Sequence, residues 1–285
     1  MKILDSVAPL AEDHDGFILD IWGVLHDGEK PYPGVVEALR ELRARGKRVV
    51  LLSNAPRRSW TVAKALEDMG LPPELFDGVV TSGEVAWTLL RDRTHPFFAK
   101  LGRTAFHIGP DRDLSVIEAL DIPVSRDAAA ADFVLNTGPD FEHGRLSTDP
   151  YRPMLEAAAA RRLPMVCTNP DRAVMVGGER LICAGAFADI YMELGGEVME
   201  IGKPDPMVYE TVLSALAVPK DRIVAVGDTA HTDLAGAMAV GVAPVWALTG
   251  LAGDHFGPDP SPDALDEEAA REGVQPVAAL RSLRW

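Results

Sequence analysis

Short apolar runs that end in polar residues recur along the chain. Residues 17–19 lead into Asp20, residues 49–52 lead into Ser53-Asn54, and residues 223–226 lead into Gly227-Asp228. Continuous apolar runs of this length are typical of strands buried on both faces of a parallel sheet. For residues 17–28 taken alone, a core strand with one surface aspartate at its tip is the simpler interpretation.

Stretches with helical spacing separate these runs. Val35, Val36, Leu39 and Leu42 recur at helical intervals, and Gly46 stands where a C-terminal cap would lie. Further helices are predicted at about 59–69 and 206–216. This alternation of strands and helices predicts an α/β fold with a Rossmann-like core, in which helices cover a parallel sheet.

The pattern restarts after about residue 87. Strands are predicted near 105–108, 133–135 and 165–167, and helices near 113–120 and 154–160. We therefore predict a core domain formed by residues 1–86 and 184–285, with an α/β cap domain, residues 87–183, inserted into it. In this division, the helix near 186–194 and the strand near 198–201 belong to the core. The tail after Gly250 is predicted to pack on the surface, with a short helix near 277–283.

Composition narrows the classes of partner. The 285 residues carry 28 Lys and Arg against 43 Asp and Glu, a net charge of −15. So acidic a chain repels nucleic acid and anionic membranes, and we expect neither as a partner. No apolar run approaches the length of a membrane span and no basic-then-apolar leader is present, so we expect a cytoplasmic protein. The sequence does not determine the oligomeric state, and a homo-oligomer is compatible with it. Cys167 and Cys183 are expected to be reduced, buried thiols.

Polar residues with complementary chemistry follow the predicted strands. The carboxyl ends of parallel strands meet at one edge of the sheet, so residues remote in sequence converge there. Asp20 and Asp228 suit a hard divalent cation such as Mg²⁺. Lys203 supplies a cation for phosphate and Ser53 a hydroxyl donor, while a carboxylate can attack phosphorus. Each residue has a structural alternative as a solvated lysine, a helix cap or a turn residue, but the set favours phosphate chemistry.

These segments together resemble the four motifs of the haloacid dehalogenase-type hydrolases. The motifs begin at Asp20 (Asp-Ile-Trp-Gly-Val-Leu), Ser53 (Ser-Asn), Gly202 (Gly-Lys-Pro) and Gly227 (Gly-Asp-Thr-Ala-His-Thr-Asp). The insert and its Thr-Asn-Pro-Asp segment at 168–171 are similar to the class IIA branch. That branch includes NagD-like sugar and nucleotide phosphatases and 4-nitrophenylphosphatases.

The resemblance implies a role for each motif residue. Asp20 is expected to be the nucleophile and a Mg²⁺ ligand. The other expected metal ligands are the Trp22 backbone carbonyl, Asp228 and Asp233. Ser53 and Asn54 are expected to bind the phosphoryl oxygens, with Lys203 neutralising charge beside Asp20. The cap loop is expected to select the substrate through Thr168, Asn169 and Asp171.

One position departs from the resemblance. Phosphatases of this group usually carry a second aspartate two residues after the nucleophile, where it protonates the leaving group. Trp22 stands there, and an indole cannot shuttle a proton. General acid–base catalysis commonly contributes ~10² to 10⁴ in rate. His26, Asp27 and His231 are the candidate substitutes, and each is also explained as a turn or helix-cap residue.

We therefore expect a Mg²⁺-dependent hydrolase of phosphoric monoesters of small metabolites, such as sugar or nucleotide phosphates. It would act through an aspartyl-phosphate and would be slow, or restricted to good leaving groups. One alternative is a phosphate-ligand binding protein with lost or weak turnover. Another is a dehalogenase- or phosphonatase-like enzyme, the latter requiring a Schiff-base lysine, for which Lys100 is the only candidate in the insert.

Overall fold

The computed structural model describes residues 1–285. It contains fourteen strands: β1 Ile3–Leu4, β2 Gly16–Leu19, β3 Arg48–Ser53, β4 Gly78–Thr81, β5 Ala105–Ile108, β6 Val124–Ser125, β7 Phe133–Asn136, β8 Met165–Cys167, β9 Ala173–Val176, β10 Glu179–Ile182, β11 Val198–Glu200, β12 Ile223–Gly227, β13 Ala243–Ala247 and β14 Ala278–Leu280. Eleven α-helices accompany them: α1 Ala8–Asp13, α2 Val35–Ala44, α3 Ser59–Asp68, α4 Ser82–Asp92, α5 Pro96–Ala99, α6 Arg152–Ala160, α7 Ala184–Glu193, α8 Pro206–Leu216, α9 Ala235–Ala239, α10 Gly250–Phe256 and α11 Pro262–Glu272.

A seven-stranded sheet forms the core. Its strand order is β1-β14-β13-β12-β2-β3-β4, and every adjacent pair is parallel. Strand β3, which follows β2 in the chain, lies on one side of the β2–β12 pair. Strand β13, which follows β12, lies on the other side of this pair. The reversal places the ends of β2 and β12 next to each other, where open α/β sheets bind ligands. The predicted α/β class with a Rossmann-like core is confirmed.

A second, five-stranded sheet has the order β11-β8-β7-β5-β6 and is also parallel. Its membership corrects the predicted boundary at residue 183. Helix α7 buries Phe187 and Tyr191 in a hydrophobic cluster with residues of β5, β7 and β8, and β11 pairs with β8. By sheet and cluster membership, the second unit therefore extends to Glu200, because packing partners rather than local pattern decide to which sheet a strand belongs.

The C-terminal tail also differs from expectation. Residues 278–280 form β14, which lies inside the core sheet between β1 and β13 and is buried. The prediction of a surface helix near 277–283 is wrong, because the apolar run Ala278–Leu280 pairs with a neighbouring strand on each side. The predicted helix near 113–120 is instead a 3₁₀-helix over Asp111–Ile117.

Hydrophobic packing joins the two sheets. One cluster of 26 buried residues includes Ile18 and Val50 of the core sheet together with Phe133 and Val166 of the second sheet. Burial of such a continuous apolar surface is the main term that holds the two units together. None of the helices has the length and hydrophobicity needed to cross a bilayer. Both cysteines are free and buried, as predicted.

Candidate active site

Asp20 stands directly beyond β2, whose four residues are all buried. Its backbone N–H donates to the Val226 carbonyl at 2.9 Å, which continues the ladder between β2 and β12 by one residue. Asp228 follows β12, so the two carboxylates leave neighbouring strands side by side. Both side chains are buried, and both line a cavity of about 110 Å³.

Two glycines make room for Asp228. Gly23 (φ 83°) and Gly250 (φ 57°) both have left-handed backbone conformations, and a Cβ at either position would collide with Oδ2 of Asp228. This oxygen accepts the N–H of Leu251 at 2.7 Å, and Thr229 donates to the other carboxylate oxygen at 3.0 Å. The carboxylate is thus held from the loops after β2 and β13 as well as from its own strand.

Asp233 and Lys203 complete the buried centre. Asp233 belongs to a single π-helical turn, Ala230–Leu234, a distortion that is frequent at functional sites. One oxygen each of Asp20, Asp228 and Asp233 lies within 4.8 Å of the others. The Lys203 ammonium is 2.6 Å from Oδ1 of Asp20 and 2.6 Å from Oδ1 of Asp233, and only 3% of this lysine is exposed.

The electrostatics of this centre follow from burial. Burial raises the pKa of Asp20 well above its usual range, with Lys203 acting against it and the two other aspartates adding to it. Burial and the nearby Asp233 raise the pKa of Asp228 to about 7. Burial alone would lower the pKa of Lys203, but the surrounding carboxylates outweigh it and raise that pKa, so this lysine is a permanent cation.

The donor set fits a divalent cation. Three buried carboxyl groups face a single ammonium, so when they are ionised a divalent cation would neutralise the excess negative charge. Trp22 lines the same cavity, and its backbone carbonyl accepts no backbone hydrogen bond. Carboxylates and carbonyls are the oxygen ligands that Mg²⁺ prefers. Asp20, Asp228, Asp233 and the Trp22 carbonyl are therefore the groups that would hold the ion.

Ser53 and Asn54 lie on the other side of Asp20, at the end of β3. The side chain of Asn54 is occupied, because its oxygen accepts the N–H of Lys203 at 2.8 Å and its amide donates to Asp171 at 2.8 Å. Its backbone N–H, by contrast, donates to no group of the chain. Ser53 accepts the Ala55 N–H at 3.2 Å, which leaves its hydroxyl proton free to donate. Both residues line the cavity.

The predicted substrate loop is only partly at the site. Asn169 and Asp171 line the same cavity as Asp20. Thr168 does not line this cavity, and its contact with substrate stays a prediction. Its hydroxyl is fully buried and donates to the Asn136 carbonyl at 3.2 Å, so it anchors the loop to β7. Burial raises the pKa of Asp171, whose carboxylate is held by Asn54.

None of the three candidate proton donors lines the cavity. The ring of His26 packs edge-on against Trp22, its Nδ1 accepts the Gly28 N–H at 3.0 Å, and burial lowers its pKa to about 4. Asp27 accepts two backbone N–H groups of its own turn at 2.9 Å. His231 borders a separate hollow beside Pro204. His26 and Asp27 thus have structural roles here, whereas Trp22 does border the cavity at Asp20.

Lys100 lies away from the site. It is exposed, pairs with Glu197 at 2.6 Å and does not line the cavity. Lys100 therefore does not support a Schiff-base mechanism at this cavity.

Three arginines that the sequence did not predict lie at the cavity. Arg57, Arg112 and Arg145 all line it, together with the buried Asp113. Only Arg57 carried a local signal, because it lies three residues after Asn54 at the end of β3. The other two come from the second unit, and nothing in their neighbouring sequence indicates that they face Asp20.

The chain is similar to known proteins in sequence and in fold. A model described as haloacid dehalogenase-like hydrolase matches residues 17–123, and a second HAD-hydrolase-like model matches residues 200–273. A crystal structure of a haloacid dehalogenase-like hydrolase from Brucella suis 1330 is 31% identical, with a TM-score of 0.84, over 98% of this chain and 99% of that one. The chain belongs to the haloacid dehalogenase-like hydrolases.

Curated relatives of this hydrolase are phosphatases. The 4-nitrophenylphosphatase of Schizosaccharomyces pombe is 25% identical over 77% of this chain and 78% of its own length. The glycerol-3-phosphate phosphatase of Rattus norvegicus is 26% identical over 85% of this chain and 81% of its own length. The two family-model matches, over residues 17–123 and 200–273, include Asp20, Lys203 and Asp228, so the buried centre of this hydrolase lies within the similarity to the family.

Proposed function

We propose that the chain is a Mg²⁺-dependent hydrolase of phosphoric monoesters that acts through an aspartyl-phosphate on Asp20. The observation that carries this proposal is the buried contact of Asp20 with Lys203 at 2.6 Å, beside two further carboxylates. The names of the relatives support the same class of reaction. Small phosphorylated metabolites are the substrates that a cavity of about 110 Å³ would admit.

Different residues of the chain would have different roles in this reaction. An oxygen of Asp20 would attack phosphorus, and the alcohol would leave from the opposite side. Lys203, the Ser53 hydroxyl and the Asn54 N–H would stabilise the negative charge on the phosphoryl oxygens. A bound Mg²⁺ would neutralise charge as a Lewis acid. Water would then hydrolyse the acyl phosphate and regenerate Asp20.

The second unit would act as a cap that selects the substrate. Asn169 and Asp171 come from the loop after β8, Arg112 from the 3₁₀-helix and Arg145 from the segment before α6, yet all four line the cavity at Asp20. A unit placed over the site excludes water and contacts the leaving group. We assign this role to residues 87–200, with the limit at β11 that the sheets indicate.

The test is release of phosphate from 4-nitrophenyl phosphate, with and without Mg²⁺, by the parent protein and by Asp20→Asn. We expect release only from the parent with metal. Acid-quenched parent protein should carry a phosphoryl group on the peptide that contains Asp20. Release at the parental rate by Asp20→Asn would overturn the assignment.

A phosphate-ligand binding protein is the second candidate, and Trp22 favours it, because the position usual for the proton donor holds an indole. This alternative predicts that 4-nitrophenyl phosphate or inorganic phosphate binds in the presence of Mg²⁺ without turnover. Calorimetric binding with no phosphate release would select it.

A further inference from the structure

The wall between the catalytic cavity and a second cavity of about 230 Å³ is cationic. Three arginines border both cavities, and they come from distant parts of the chain. Arg57 follows β3, Arg112 lies in the 3₁₀-helix of the second unit, and Arg145 precedes α6. The other two residues that border both cavities are Trp22 and Ala55.

The positive charge of this wall is not neutralised within the protein. Arg57 and Arg112 share one carboxylate, Asp113, at 3.1 and 3.5 Å. Arg145 forms no ion pair with any carboxylate of the chain. Although Nε of Arg57 lies near Asp113, the geometry is unsuitable for a hydrogen bond, and both buried atoms remain without one. Unpaired buried donors of this kind cost free energy until a ligand satisfies them.

The arginines are held together in spite of their mutual repulsion. The Thr81 hydroxyl donates to the Arg57 carbonyl at 2.5 Å, which fixes the backbone of this residue. The guanidinium carbons of Arg112 and Arg145 lie 5.7 and 5.2 Å from the ring centre of the exposed Phe141. Burial lowers the pKa of Arg57, and repulsion from the other two arginines lowers it further. Such a cluster, in a chain of net charge −15, is suited to an anion.

We propose that Arg57, Arg112 and Arg145 bind a second anionic group of the substrate, a carboxylate or a second phosphoryl group, carried by the leaving alcohol. The inference rests on the proposed function, since it assigns the phosphoryl group under attack to the base of the cavity at Asp20. A guanidinium group can donate two parallel hydrogen bonds to the oxygens of either a carboxylate or a phosphoryl group. The carbon skeleton between the two anions would pass Trp22.

The second cavity suits the remainder of such a substrate. Val62, Leu66 and Met69 line it on the side of α3. This apolar wall would accept carbon atoms of the alcohol. A sugar with many hydroxyl groups would find few partners there.

A purely structural role for the arginines makes a different prediction. Arg57 belongs to the core and Asp113 to the second unit, so their pair could simply fasten the two units together. Loss of an arginine would then affect all phosphate esters alike. Arg145 is the better probe, because it has no carboxylate partner whose burial would be left uncompensated.

The experiment compares three aryl phosphates with matched leaving-group pKa. The aryl group of the first is uncharged, that of the second carries a carboxylate, and that of the third carries a second phosphoryl group. The first is called the neutral ester. We expect the parent, with Mg²⁺, to show kcat/KM at least tenfold higher for one or both charged esters. Arg145→Gln should lose at least tenfold more on the preferred ester than on the neutral one, and Arg145→Lys should recover part of the loss. The matched control Arg152→Gln removes an exposed arginine of α6 that lines neither cavity. It should keep the parental preference.

Calorimetric binding of the same esters to Asp20→Asn separates this inference from the proposed function. Preferential binding of a charged ester that Arg145→Gln abolishes supports the anion site, even where the parent releases no phosphate. Turnover of all three esters without preference, or an equal loss on all three in Arg145→Gln, overturns it. A preference for the carboxylate over the phosphoryl ester, or the reverse, identifies the anion.

Discussion

The ammonium of Lys203 donates to Oδ1 of Asp20 at 2.6 Å, across 183 residues of sequence. The same ammonium holds Asp233 at 2.6 Å, so one cation orients two of the three buried carboxylates. The Asn54 side chain in turn fixes the Lys203 backbone. The carboxylate of Asp20 is thereby kept beside a positive charge before any substrate arrives.

Lys203→Met should reduce kcat at least ~100-fold, because the phosphoryl charge loses its fixed cation. It should also destabilise the metal-free protein by about 3–5 kcal/mol, since two buried carboxylates lose their partner. Phosphate release and urea unfolding measure the two effects. Lys64→Met, which removes an exposed lysine paired with Glu67 and Asp68, is the matched control. A kcat within threefold of the parent would show that Lys203 is only structural.

Trp22→Asp should make phosphate release less dependent on leaving-group pKa. The parent lacks a proton donor at the cavity position of Trp22, so alkoxides should leave poorly and aryloxides well. An aspartate there should raise turnover of alkyl esters by up to ~10²–10⁴. The measurement is a series of phosphate esters of graded leaving-group pKa.

Trp22→Asn is the matched control, because it also removes the indole but cannot transfer a proton. Trp22 is half-buried and packs on His26 with ring centres 4.8 Å apart, so folding of both variants is checked by unfolding first. A shallow dependence in the parent itself would contradict this account of Trp22.

Asp171→Ala should change substrate preference more than metal affinity. Asp171 lines the cavity and is held by Asn54, but it is not among the three clustered carboxylates. We expect the ratio of kcat/KM values between esters to shift at least about threefold, while the Mg²⁺ concentration for half-maximal activity moves less than twofold. A larger change in metal requirement than in preference would place Asp171 with the metal ligands.

Gly250→Ala should weaken divalent metal binding at least tenfold. A methyl group at this position would displace Oδ2 of Asp228, and the positive φ adds strain of about 1 kcal/mol. Gly257→Ala is the control, because its φ is also positive at 75° but no atom lies within 4 Å of the added Cβ. Calorimetric titration with Mg²⁺ measures the affinity. Equal affinities for the two variants would show that Asp228 is not a ligand.

His26 and His107 should make the protein less stable in acid. Burial lowers the pKa of each to about 4, from an ordinary value of 6.5. Between these values the unfolded state binds more protons, so stability rises with pH and is lost as the pH falls from about 6.5 to about 4. The loss is up to about 3 kcal/mol per histidine.

His107→Gln isolates one of these contributions. His107 contacts the Thr137 hydroxyl at 2.9 Å, and its Nδ1 is buried without a partner. Urea unfolding at pH 7 and pH 5 should show a smaller loss of stability in this variant than in the parent. His255→Gln alters an exposed histidine and should keep the parental difference. An unchanged difference in His107→Gln would contradict the buried neutral state.

The local pattern of the sequence determined the strands of the core and the residues at their ends. Each run from 17–19, 49–52 and 223–226 is apolar on both faces, so it is stable only inside a parallel sheet, and such sheets gather their carboxyl ends at one edge. For this reason Asp20, Ser53 and Asp228 were predictable as neighbours. Lys203, at the start of a predicted helix, and Asp233 were predicted to join them, and the resemblance added their roles beside the nucleophile and the metal.

The tertiary structure alone decided which segments joined which sheet and which side chains reached the cavity. Strands β11 and β14 are three residues long, and their hydrogen bonds and buried faces come from partners distant in sequence. Thr168 and Asp171 stand three residues apart, yet one anchors a strand end and the other borders the site. Arg112 and Arg145 meet Arg57 only because the second sheet packs over the first. Such placements depend on non-local packing, which no local periodicity encodes.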